Sequence, residues 1–127
     1  MDSLPNNTSS LPTAYLPGTH VLLDFWCNRG LSDLDFIRDA MIGAAEACGA
    51  TVLNVMLHQF GEELGVTGVA LLAESHISIH TWPETGYAAL DIFLCGNCDP
   101  EQAIAHLTER FEPSRTRITY HPRGDVR

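Results

Sequence analysis

A chain of 127 residues, 45 % of them apolar, is long enough to bury a core without disulfide or metal staples. Its net charge of −9 argues against nucleic acid and against an anionic membrane surface as partners. All seven basic residues are arginine, which excludes a lysine aldimine to pyridoxal phosphate (PLP) and a lysine Schiff base.

No run of residues is apolar and long enough to span a bilayer, and no basic-then-apolar segment opens the chain. Without an export signal, Cys27, Cys48, Cys95 and Cys98 are expected to be free thiols of a cytoplasmic protein. Residues 1–17 are rich in Asn, Ser, Thr and Pro and read as a disordered arm before a domain over 18–124. Thr19 to Trp26 reads as a strand, with Asn28, Arg29 and Gly30 as its turn. A helix follows, with Ser32 as the expected N-cap and Asp35 in the capping-box place. Leu34, Ile37, Met41, Ala44 and Cys48 make its apolar face, and Gly49 stops it.

Thr51 to Phe60 and Thr67 to Glu74 read as strands, and His76 to Thr81 continues extended into a turn at Trp82–Gly86. In the strand Tyr87–Cys95, Ala88, Leu90, Ile92 and Leu94 point one way; Ala89, Asp91, Phe93 and Cys95 point the other. Asp99-Pro100 opens a second helix whose apolar face is Ala103, Ile104, Leu107 and Phe111, with Gln102 in the capping-box place. Arg115 to Tyr120 is expected as an edge strand and His121 to Arg127 as a loose tail. The order β-α-β-β-β-α-β implies an α+β two-layer sandwich: a mainly antiparallel sheet with both helices on one face. The bare face would carry Asp91, Phe93 and Cys95 and would want a partner, such as a second copy.

The stretch Glu74-Ser75-His76-Ile77-Ser78-Ile79-His80-Thr81-Trp82-Pro83-Glu84 holds more polar groups than a buried strand can use, since each needs a partner. Ser75 can attack the carbonyl of Glu74, turning the amide into an ester. Loss of the Ser75 Cα proton then eliminates the ester, and hydrolysis of the resulting dehydroalanine leaves a pyruvoyl ketone. That sequence needs strain at the peptide, a base such as His80, and a hydroxyl such as Thr67 for the oxyanion. On these two residues alone, solvated strand groups remain the commoner explanation.

Zinc would accept His76-x-x-x-His80 with Cys95-x-x-Cys98, but histidines four apart on a strand are not adjacent as they are on a helix. Cys95-Gly96-Asn97-Cys98 also has redox spacing, though its second cysteine, not its first, precedes the helix. Asp91 in an apolar strand needs a partner. Phe60 is either core or a face for a cation.

The same stretch, followed by Gly86-Tyr87-Ala88-Ala89 and Cys95-Gly96 and preceded by Gly65-Val66-Thr67-Gly68, resembles the prokaryotic S-adenosylmethionine decarboxylase proenzymes. The resemblance runs from Gly18 to Gly124. It implies self-cleavage at Glu74–Ser75 into a β chain (1–74) and an α chain (75–127) that begins with a pyruvoyl group made from Ser75. It implies His80 as processing base, Thr67 as processing hydroxyl where serine is common, and Cys95 as proton donor. Trp82, Glu84 and Phe60 would line the substrate pocket, Phe60 being displaced by one extra residue within Gly61–Leu64.

The implied activity is decarboxylation of S-adenosylmethionine, giving the aminopropyl donor for spermidine, by a homodimer of two α and two β chains with no metal. The rival readings are the same chemistry on arginine or ornithine, and a non-catalytic zinc- or ligand-binding module.

Overall fold

The computed structural model describes residues 18–124, so the expected N-terminal arm lies outside the described residues. The elements are β1 (Gly18–Trp26), α1 (Leu34–Ala47), β2 (Val52–Gln59), β3 (Val66–Leu72), β4 (Ser75–Trp82), β5 (Tyr87–Cys95), α2 (Pro100–Phe111) and β6 (Arg115–Arg123). The strands form one sheet in the order β2-β3-β4-β5-β1-β6, antiparallel at every neighbour. Both helices cover one face, as the alternation predicts.

The apolar spacing of α1 buries Ile37, Ala40, Met41, Ala44 and Ala45. Its N-cap is Asp33 rather than the expected Ser32: the Asp33 carboxylate accepts the Phe36 N–H at 3.1 Å. Gly49 ends the helix at φ +88°, with Ala50 N–H donating to Ala45 C=O and Gly49 N–H to Glu46 C=O. This is a Schellman closure, which needs the left-handed residue that glycine supplies most cheaply. Asp99 caps α2 by accepting the Glu101 N–H, and Ala103, Ile104, Leu107 and Phe111 are buried against the sheet and α1.

Two further expectations change. The extended run through Glu74 folds back at Ala73-Glu74, so Leu72 pairs with Ser75 and β3 and β4 form a hairpin. The end of the chain is not loose up to Arg123: β6 continues past Tyr120 because β1 offers partners as far as Gly18, with His121 opposite His20 and Arg123 opposite Gly18. Residues 125–127 lie outside the described residues.

Candidate active site

β4 alternates strictly between faces. Ser75, Ile77, Ile79 and Thr81 are buried toward the helices, while His76, Ser78, His80 and Trp82 face the other way. A period of two therefore puts all three ring-bearing side chains of β4, His76, His80 and Trp82, on the bare face, beside Asp91, Phe93 and Cys95 of β5.

The residues singled out in the sequence gather in two places. At the far end of β4, Thr67 lies directly opposite His80, with Oγ1 3.1 Å from His80 Nδ1. These two join Phe60, Trp82 and Glu84 around one cleft of about 270 Å³, floored by Gly65 and Val66. Phe60 and Trp82 are 61 % and 40 % exposed, which is large for aromatic rings with only structural duties. Trp82 stacks on Tyr87, whose phenol donates to Asp24 at 2.5 Å. Burial and the Asp24 carboxylate push that phenol up to about 12.

At the near end of β4, the Cys95 N–H donates to Ser75 Oγ at 3.0 Å, so the expected nucleophile and the expected proton donor are neighbours. Ser75 is buried, and the residue before it, Glu74, sits in the hairpin turn at φ +62°. Such a left-handed conformation is costly for a residue with a Cβ. Cys98 stands next to Cys95 across a turn closed by Cys98 N–H to Cys95 C=O, 3.1 Å. Burial, then the Cys95 and Cys48 thiols, push the Cys98 thiol up to about 11. All four cysteines are free.

The two groups do not meet within the chain. Ser75 and His80 are five residues apart on one strand, which at roughly 3.3 Å per residue is ~16 Å, and they face opposite ways. Nor does the zinc quartet assemble: His76 and His80 share a face but lie roughly 13 Å apart along β4.

A third constellation went unread in the sequence. His20 Nε2 and His76 Nε2 approach Asp91 Oδ2 at 2.5 and 3.2 Å, and Ser78 donates to the other carboxylate oxygen. Burial alone would push the Asp91 carboxyl up; hydrogen bonds from Ser78, His20 and His76 outweigh it and hold it below the usual carboxylate range. The signal was present in the alternation, which places His20, His76, Ser78 and Asp91 on one face, but strand order was needed to make them neighbours.

An antiparallel sheet with both helices on one face and a clefted open face of mixed polar and apolar groups defines an α+β two-layer scaffold. Residues 19–124 match the family model described as S-adenosylmethionine decarboxylase. The chain is 46 % identical over 112 residues to an S-adenosylmethionine decarboxylase proenzyme of Methanococcus maripaludis, covering 86 % of this chain and 91 % of that one. It is 52 % identical over 98 residues to a proenzyme of the same name from a Synechococcus species, covering 75 % and 76 %. The crystal structure of the adenosylmethionine decarboxylase from Aquifex aeolicus superposes with a TM-score of 0.78 at 32 % identity, covering 88 % of this chain and 94 % of that one. The chain belongs to the S-adenosylmethionine decarboxylase family.

Proposed function

We propose that this chain is a self-processing S-adenosylmethionine decarboxylase, cut at Glu74–Ser75 into residues 1–74 and 75–127, and that two copies complete each active site. The observation that carries the proposal is the division of the motif residues into two half-sites at opposite ends of β4: Thr67 and His80 on the bare face at one end, and at the other Cys95 on that face with Ser75 bonded to its N–H from the helix side. Two such sheets stacked about a two-fold axis would bring the start of one β4 over the end of the other. Ser75 and Cys95 of one protomer would then work with the partner's Thr67 and the partner's His80. The cleft volume agrees, since about 270 Å³ falls just short of the roughly 300–1,000 Å³ usual for a small-molecule site and lacks one wall.

The residues fit the pyruvoyl group. Ser75 follows a carbonyl held in a strained turn, and its hydroxyl accepts rather than donates in its contact with the Cys95 N–H, leaving its own proton free to be removed. The group supplies an electrophilic carbonyl and an electron sink once formed. Around it, Cys95 holds a proton beside the carbon that loses carboxylate. Phe60 and Trp82 offer flat apolar faces to the adenine or to the sulfonium, and Glu84 adds a carboxylate that favours a cationic substrate. His80, its Nδ1 tied to Thr67, presents Nε2 as the base for processing.

Denaturing mass spectrometry of the purified protein should give two chains divided at Ser75, and Ser75→Ala should stay whole. Carbon dioxide should be released from S-adenosylmethionine and not from arginine or ornithine; the reverse preference would sink the substrate assignment. The shared site has its own test. His80→Ala alone should stay uncut, yet be cut when co-expressed with Ser75→Ala, which lends it an intact His80. If the His80→Ala chain stays whole in that mixture, the two-copy site is wrong.

A further inference from the structure

We propose that His20, His76 and Asp91 form a binding site for one divalent transition-metal ion of the zinc type. The three ligand atoms lie within 4.8 Å of one another, and both imidazoles aim Nε2 at the same carboxylate oxygen. The placement follows from the sheet. His20 and His76 each stand opposite Phe93, from β1 and from β4, and Asp91 is two residues along β5 on the same face. Ser78 holds the second carboxylate oxygen, the role an outer-shell partner plays in orienting a ligand. Phe93 packs against both rings and shields one side, with centroids at 5.6 and 6.1 Å. In one chain the three side chains are 22, 38 and 24 % exposed, partly sheltered by the sheet.

Two imidazoles and a carboxylate with an open position are a donor set zinc accepts. The same set disfavours magnesium and calcium, which require mostly oxygen. One group competes. Arg123 Nη1 lies 3.2 Å from His20 Nδ1, and it can donate there only if that nitrogen carries no proton. A ring that binds metal through Nε2 keeps its proton on Nδ1, so Arg123 must swing away. It stands at the exposed end of an edge strand, where that movement is cheap.

The site has a consequence that rests on the self-cleavage reading, although metal binding itself does not. His20 lies before the Glu74–Ser75 bond, and His76 and Asp91 lie after it. An ion there would join the two chains after processing and fix His76, the residue next to Ser75.

The experiment is a zinc titration of the untagged, self-processed protein by calorimetry, with magnesium in parallel. The expected result is one saturable zinc site per processed protomer, that is, per pair of chains, and none for magnesium. Loss of an outer-shell partner alone weakens metal sites by roughly 10–100-fold, so Asp91→Asn and His76→Gln should each weaken binding at least that much. His58→Gln, on the same face but at the other end of the sheet, should leave it unchanged. Arg123→Ala should tighten it. Circular dichroism and the mass of each variant's chains report folding and processing separately. Affinity unchanged in folded Asp91→Asn and His76→Gln, or no saturable zinc binding to the wild-type protein, would overturn the site.

Discussion

Glu74 occupies the third position of the turn Leu72-Ala73-Glu74-Ser75 at φ +62°, where a type II turn takes Gly or Asn. Holding a residue with a Cβ there stores on the order of 1 kcal/mol, and the carbonyl of that residue is the one Ser75 attacks in the proposed cleavage. Glu74→Gly releases the strain and also removes a carboxylate; Glu74→Gln removes only the charge. If strain drives processing, Glu74→Gly slows cleavage by roughly 5-fold, the rate equivalent of 1 kcal/mol, and Glu74→Gln cleaves almost normally. Time courses of chain cleavage by mass spectrometry decide it. Equal slowing of Glu74→Gln and Glu74→Gly would assign the effect to the carboxylate instead.

Thr81 shows how the elements are tied so that the cleft keeps its shape. It is a buried hydroxyl on the helix side of β4, accepting the Val66 N–H at 2.8 Å and donating to Leu31 C=O at 2.6 Å. The same stretch of backbone leaves no room at Gly65, where an added Cβ would lie 2.3 Å from Thr81 C=O. One side chain thus fixes the start of β3 and the loop after β1 to the end of β4, one residue from His80 and one from Trp82. Thr81→Val keeps the shape and orphans both backbone groups, so it should cost about 1–3 kcal/mol in urea unfolding. A loss well under that range would mean water replaces both bonds.

Period and cap chemistry made most elements legible: both helices, the two faces of β5, and the apolar positions of α2. The β3–β4 hairpin was not legible, because Ala73-Glu74 lacks the glycine or asparagine that normally marks such a turn. The pairing of Thr67 with His80 could be named because the motif supplied both. That of His20 with Asp91 could not, since no short-range signal says that β1 lies beside β5. The separation of Ser75 from His80 is also plain only in the structure, although five residues along one strand already imply it.

At the scale of the molecule, the bare face carries the candidate groups His80, Trp82 and Cys95 together with apolar side chains that nothing in one chain covers. Leu22, Met56 and Leu71 are 44, 58 and 49 % exposed there. Two hollows of about 330 and 360 Å³ flank His80 on this face, one lined by Leu22, Asp24 and Asp91 and the other by Met56, Leu57 and Val69. Large apolar side chains left exposed together on one face are a usual mark of an interface, and burying one leucine there is worth roughly 1.5–3 kcal/mol. Leu22→Arg tests this without threatening the fold, because the arginine stands beside Asp24 and Asp91 and the helix-side core is untouched. Light scattering should find the wild-type protein as a dimer and this variant shifted toward monomer. If each site needs both copies, the variant should also process slowly, and raising its concentration should restore cleavage by mass action. A Leu22→Arg monomer that cleaves itself at the wild-type rate would mean that Ser75 finds its base within its own chain, over a distance this sheet does not allow it to cross without unfolding β4.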